Sequence, residues 1–308
     1  MPALTVILAT YNGAETIAAT LGALSQLEAP EGGWKLVVVD NGSTDGTKAI
    51  VETFADRLPL QLLDHPVPNK NAALNAALEH AKGDLVVFTD DDIITEPVWL
   101  VGFRRLVAEQ PSFTIFGGRI RTLWPSDPPP WIAHGIPHGP AFAAHRDDLE
   151  DGPVDPGKIW GGNMAVRRDV FDAGHRFNEA YGPRGGGNFL MASETEFAKR
   201  AQRLGNECWF SNRITVGHQI LSVQYTPSWL ATRARCFGAT RAALGREPYG
   251  TFPPHAKKGA VKKLRRSGAR WVLSWLNGDR AARYRAIWDI NFQLGYMSRR
   301  LPNIKVDS

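Results

Sequence analysis

The chain has 308 residues, of which 43% are apolar and 22% charged. That length and balance suit a globular protein with a full core, either one large α/β domain or one domain with a helical tail, and exclude a disordered or fibrous chain. The net charge of +5 is uneven: residues 255–308 hold 13 Lys or Arg against 3 Asp or Glu, so residues 1–254 are net acidic.

The opening segment MPALTVILATYNGAETI has no Lys or Arg before its short apolar run. It reads as a strand and not as a signal peptide. No uninterrupted apolar stretch approaches the ~20 residues of a spanning helix, so any membrane contact is expected to be peripheral. Leu4 to Ala9 and Leu36 to Val39 are short β-branched runs of the kind buried in parallel sheets. Between them, Ala14 to Leu27 carries Ile17, Leu21 and Leu24 at helical spacing, and Thr47 to Phe54 repeats the pattern. Leu60 to Leu63 predicts a third strand, Ala72 to Ala81 a helix, and Leu85 to Thr89 a fourth strand running into Asp90, Asp91 and Asp92. This alternation is the signature of a wound α/β sheet, whose ligands gather at the carboxyl ends of the strands. From Trp124 to Lys158 the pattern gives way to a long Pro- and Gly-rich loop. Regular structure is expected again at Trp160 to Arg167 and at the helix Glu194 to Leu204, and beyond Pro227 the chain reads as helical. Cys208 and Cys236 lie in segments with no metal-ligand spacing, so neither a disulfide framework nor a zinc site is expected, and a reducing cytoplasm suits them.

Three adjacent carboxylates at the end of a buried strand repel one another unless a cation is near. Residues i and i+2 of an extended segment share a side, so Asp90 and Asp92 can reach one ion while Asp91 points elsewhere. All-oxygen ligation suits Mg²⁺ or Mn²⁺. The same triplet would also serve as a solvated acidic turn before a helix whose first turn contains Glu96 and Pro97.

The ordered motifs ILATYNGAETI, VVVDNGSTDGT, NAALNAALEHAKGD, FTDDD, GGNMAVRRDVF and SETEFAKRAQRLG span residues 4–205. Together they resemble the family 2 glycosyltransferases. The resemblance implies a GT-A fold, an α/β arrangement with a mostly parallel sheet flanked by helices, here with a helical C-terminal extension. It implies a catalytic domain at 1–225, with nucleotide binding in about 1–122 and the acceptor part in 123–225, followed by a basic helical extension at 226–308. The activity implied is transfer of one sugar from a nucleotide diphosphate to an acceptor hydroxyl with inversion. A divalent metal would sit at Asp92, with Asp90 and His218 beside it. Thr10, Tyr11 and Asp40 would hold the nucleotide, with Asp91 and Asn75 on the donor, and Asp40 accepting a ring N–H of uracil or guanine. Where the family has Arg-Asn, this chain has Leu74 and Asn75, and Lys70 can supply the missing charge without arginine's bidentate fork. Trp160, Gly162 and Asn163 would border donor sugar and acceptor, with Trp160 either stacked on a sugar or buried. The family's base opens a helix after a glycine-rich loop, here Gly182 to Gly187. Glu194 falls at that position in place of the family's Asp, with Glu196 either supporting it beside the acceptor and donor sugar or lying on the helix face. Ser193 with the acidic residues behind it also reads as an ordinary helix N-terminus.

The expected partners are a nucleotide-diphosphate sugar, UDP-sugars preferred, and a saccharide or lipid-linked acceptor. A sugar-phosphate nucleotidyltransferase would carry a basic glycine-rich loop after the first strand, where this chain has ATYNGAET. An Asp-nucleophile phosphatase places its acidic motif after the first strand, not the fourth. A non-catalytic nucleotide-sugar binder is an alternative left open by Leu74 and Glu194. The processive Gln-x-x-Arg-Trp motif does not occur. In the tail, Lys257, Lys258, Lys262, Lys263, Arg265, Arg266 and Arg270 precede Trp271, Trp275 and Leu276. The pattern predicts a helix lying on an anionic membrane surface, at the inner face of the cell membrane, or alternatively tryptophans packed within the protein. No recognition motif accompanies the charge, so nucleic acid is not expected.

Overall fold

A computed structural model describes residues 3–185, 189–245 and 254–298, with the side chains of 254–257 outside that description. Gly186 and Gly187 of the expected loop, and the Lys257 side chain, therefore lie outside the described residues. The chain forms two compact units. The first runs to Leu123 and adds Ala143–Gly185 and Ala192–Gln219; the second takes Trp124–Phe142, the stretch ending at Met191, and the chain from Ile220 onward.

The first unit is built on a mixed sheet of strands β1 (Leu4–Thr10), β2 (Trp34–Asp40), β3 (Leu60–Asp64), β4 (Leu85–Thr89), β5 (Ile93–Thr95), β6 (Ile115–Leu123), β7 (Gly152–Pro153), β8 (Met164–Arg167) and β9 (Cys208–Gln219). Their order is β3-β2-β1-β4-β8-β6-β9-β5, with β7 paired to β9. The four strands of the N-terminal half are parallel, whereas β8 runs antiparallel between β4 and β6. Alternation along each strand sends side chains into two cores. Val6, Leu8, Val38 and Val87 pack on one face with Leu21, Trp99 and Phe103. Ile7, Val37, Val86 and Phe88 pack on the other with Leu74, Phe171 and Phe197. Each such fully buried side chain contributes about 1.5–3 kcal/mol, which explains why these runs read so clearly.

Trp124–Lys158, expected as a loop, contains the helices Pro130–Gly135 and His138–Phe142. These belong to the second unit because Trp131, Ile132 and Phe142 bury against Leu230, Ala234 and Trp288 of later helices. The boundary expected near residue 225 accordingly falls after Gln219, and the chain crosses between units more than once. In the second unit the helices Pro227–Leu244 and Arg280–Met297 meet where Gly238 and Gly295 bring backbone against backbone. Trp131 stacks on Tyr284 with ring centroids 3.9 Å apart.

Candidate active site

The carboxyl ends of β1 and β2 are in register, Thr10 beside Asp40. The loops that follow are stitched together. Asn12, whose φ of 52° lies in the left-handed region, accepts from Thr44 N at 2.8 Å, and its own N–H donates to Ser43 Oγ at 3.0 Å. Asp45 accepts from Ala14 N. Tyr11 is exposed, whereas Thr10 is buried and donates its hydroxyl to Asp91. Asp40 is buried and accepts from Ser43 N.

Each of the three carboxylates after β4 meets a different partner. Asp90 is ion-paired with Lys70, Asp91 turns to Thr10, and Asp92 Oδ2 lies 3.0 Å from His218 Nε2. Asp90 and Asp92, expected on one ion, thus face different groups, because Lys70 arrives from the helix Lys70–Leu78 and His218 from β9, paired opposite Ile93. Burial and the neighbouring Asp92 charge push the Asp91 carboxyl up to about 7. Burial opposes charge on Asp92 too, yet His218 and Lys70 hold its carboxyl below the ordinary aspartate range. Burial alone would lower the Lys70 ammonium, but Asp90 and then Glu194 hold it above its ordinary value.

Glu194 stands in the first turn of the helix Ser193–Gln202. Ser193 is not the cap: the residue before the helix is Ala192, in the left-handed region at φ 65°, with no capping side chain. Glu194 lines a small cleft, about 10 Å³ and so room for about one water, with Lys70, Leu74, Phe88, Asp90 and Gly161. A side chain at Gly161 would displace the Glu194 carboxylate. Glu196 is buried and bound by Arg200 at 3.0 and 3.2 Å, with Arg200 also donating to Arg176 O. Of the two acidic residues, Glu194 is the one that reaches the cleft.

The sequence profile of Glycosyl transferase family 2 matches residues 5–173. The chain belongs to that family. Succinoglycan biosynthesis protein ExoM of Rhizobium meliloti is 25% identical over 239 residues, covering 76% of this chain and 72% of that protein. Among solved structures, the mannosyltransferase PcManGT of Pyrobaculum calidifontis, in complex with GDP-Man and Mn²⁺, superposes with a TM-score of 0.65 at 22% identity, over 96% of this chain and 87% of that one. Staphylococcus aureus TarS, residues 1–349 with UDP-GlcNAc, gives 0.55 at 16% identity, over 95% and 90%. The fold is that of the GT-A glycosyltransferases.

In this glycosyltransferase no three His, Cys, Asp or Glu side chains gather into a metal cage among the described residues. A Mg²⁺ or Mn²⁺ carrying a diphosphate needs only one or two protein carboxylates, phosphate oxygens and water completing the shell. Asp92 offers one such carboxylate, with its Oδ2 here hydrogen-bonded to His218 Nε2 at 3.0 Å.

Several expected ligand-binding residues are engaged by the protein itself. Asn75 donates to Phe177 O and accepts from Phe177 N, both at 2.9 Å, tying its helix to that segment. Asn163 is fully buried, its Nδ2 donating to Arg119 O and Ile214 O and its Oδ1 accepting from Trp99 Nε1. Gly162 packs on Ile93 and Ile120, so its missing side chain makes room for the core. Trp160 is half-buried, with one face stacked on His145 at 4.0 Å. Sequence reasoning passed over His145 and Asn41. Asn41, buried beside Asp40, accepts from Asn69 N and so joins the second strand end to the helix of Lys70; its place in the motif VVVDNGSTDGT was the available signal.

Proposed function

We propose that the first unit is an inverting, metal-assisted hexosyltransferase that moves one sugar from a nucleotide diphosphate onto an acceptor hydroxyl. The observation that carries this reading is the convergence of Lys70, Asp90 and Glu194 on one cleft from three separate segments. The acceptor oxygen attacks the anomeric carbon, Glu194 takes its proton, and the bond to the diphosphate breaks with the electron pair leaving on phosphate. Lys70 supplies cationic charge where the family's arginine is replaced by Leu74. The two residues are four apart on one helix face, so the cation enters one turn earlier while Leu74 fills the core. A Mg²⁺ or Mn²⁺ held by Asp92 and His218 would act as a Lewis acid on the leaving diphosphate.

Tyr11 and Asp40, at the carboxyl ends of β1 and β2, would flank the nucleotide base. GDP-Man and UDP-GlcNAc, the ligands of the two structural neighbours, both carry a base with a ring N–H that Asp40 could accept. A UDP-sugar is the preferred donor, and the kinship with ExoM supports a role in polysaccharide or glycoconjugate assembly. Purified protein is to be assayed for release of nucleoside diphosphate from UDP-, GDP-, dTDP- and CDP-sugars with Mn²⁺ or Mg²⁺. Glu194→Gln should still bind the donor and lose turnover by roughly 10²-fold or more, whereas Glu196→Gln should keep it. Release from none of the donors would favour the non-catalytic binder, and a silent Glu196→Gln beside an active Glu194→Gln would reject the base assignment.

A further inference from the structure

The helix Pro254–Leu276 contains no Asp or Glu. Among its described side chains the buried ones are Ala260, Ser267 and Ser274, spaced seven apart, a single narrow stripe of small residues. That stripe suits the seam with the helix Arg280–Met297, against which it packs. Around the rest of the circumference, at helical spacing, Val261, Leu264, Trp271, Val272 and Trp275 share one side and the cations share another, and apolar residues also gather toward the C-terminal end. The first part exposes Lys258, Lys262, Lys263, Arg265 and Arg266, and the last two turns expose Leu273 at 55%, Trp275 at 56% and Leu276 at 77%, with Trp271 and Val272 beside them. Gly278, at φ 68°, then turns the chain back, so these apolar residues form the closed end of a helical hairpin. The Arg283 guanidinium lies 3.5 Å over the Trp275 ring, and Arg270 and Arg280 are exposed at the same end.

We infer that this hairpin end inserts into an anionic lipid bilayer, its apolar tip entering the acyl boundary while Arg270, Arg280 and the basic stretch behind it meet lipid phosphates. No helix among the described residues is long and apolar enough to cross a membrane, so contact is by partial insertion. Arg270 is paired with Asp289 at 3.8 Å, but a second copy of the chain is a poor occupant, since it would set the exposed Lys258, Lys262, Lys263, Arg265 and Arg266 against each other. An anionic membrane offers both an apolar interior and complementary charge. This extends the partner side of the proposed function, and vesicle binding is scored without turnover, so failure of one is distinguishable from failure of the other.

The test is co-sedimentation of the full chain with phosphatidylcholine vesicles, with and without phosphatidylglycerol. The protein should pellet only with the anionic vesicles and be released by salt. Lys262→Gln with Arg265→Gln should weaken binding by about 5-fold per charge removed. Leu273→Ser with Leu276→Ser, at exposed positions, should abolish binding while circular dichroism and nucleoside diphosphate release stay unchanged. Equal recovery in the supernatant with both vesicles would overturn the inference. So would binding indifferent to the leucine substitutions, or a dimer in sedimentation velocity that those substitutions dissolve.

Discussion

Asn163→Ala separates a structural asparagine from a ligand-binding one. The substitution deprives three buried groups of their partner: Arg119 O and Ile214 O, each 3.0 Å from Nδ2, and Trp99 Nε1, 2.9 Å from Oδ1. A buried polar group left unpaired costs about 1–3 kcal/mol, so the three together cost roughly 3–9 kcal/mol, the lower part applying if one water fills the vacated space. The joint involved is the bulge between Gly118 and Arg119, where β6 and β9 lose register. Gly118 is there because any side chain would strike the Asn163 amide. Against a typical stability of about 5–15 kcal/mol this is a large fraction, and Tm should fall by roughly 6 °C or more. Thermal and urea unfolding followed by circular dichroism measure the loss, and nucleotide titration of the folded fraction should show unchanged affinity. An unaltered melting curve with weakened nucleotide binding would return Asn163 to the ligand site and refute the reasoning.

Two further outcomes follow from the same geometry. Asp92→Ala should leave the fold intact and remove the Mn²⁺-dependent part of the stabilisation by nucleoside diphosphate, which in total is about 2.7 kcal/mol at a hundredfold excess over Kd; a shift as large as wild type, or full activity in excess chelator, sinks the metal reading. His145, pushed down to about 4 by burial, accepts from Ile120 N at Nδ1 and donates from Nε2 to Lys158 O, and so folds as the neutral ring. Its folded value lies below the ordinary 6.5, so the unfolded chain binds the extra proton between those values. The stability it contributes is present above pH 6.5 and is lost as pH falls toward 4, by about 3 kcal/mol. Urea unfolding of wild type and His145→Gln across that range measures it, and parallel pH profiles for the two proteins would contradict the assignment.

Local pattern determined much of this protein. The β-branched runs of β1, β2 and β4 bury on both sides, so their continuous apolar character marks them without tertiary information. Strand-end positions for Thr10, Asp40 and the aspartate triplet follow from those runs. Which carboxylate meets which partner was not legible. Lys70 reaches Asp90 across 20 residues and His218 reaches Asp92 across 126, distances set by the order in which strands pair. The stretch after Trp124 read as a loop because its two helices are short, and their apolar residues are explained only by the helices they bury against. Asn75 and Asn163 shared the same blindness. An asparagine looks alike in sequence whether its amide meets a ligand or the backbone of a distant strand, and the hydrogen bonds that decide between them exist only after the chain has folded.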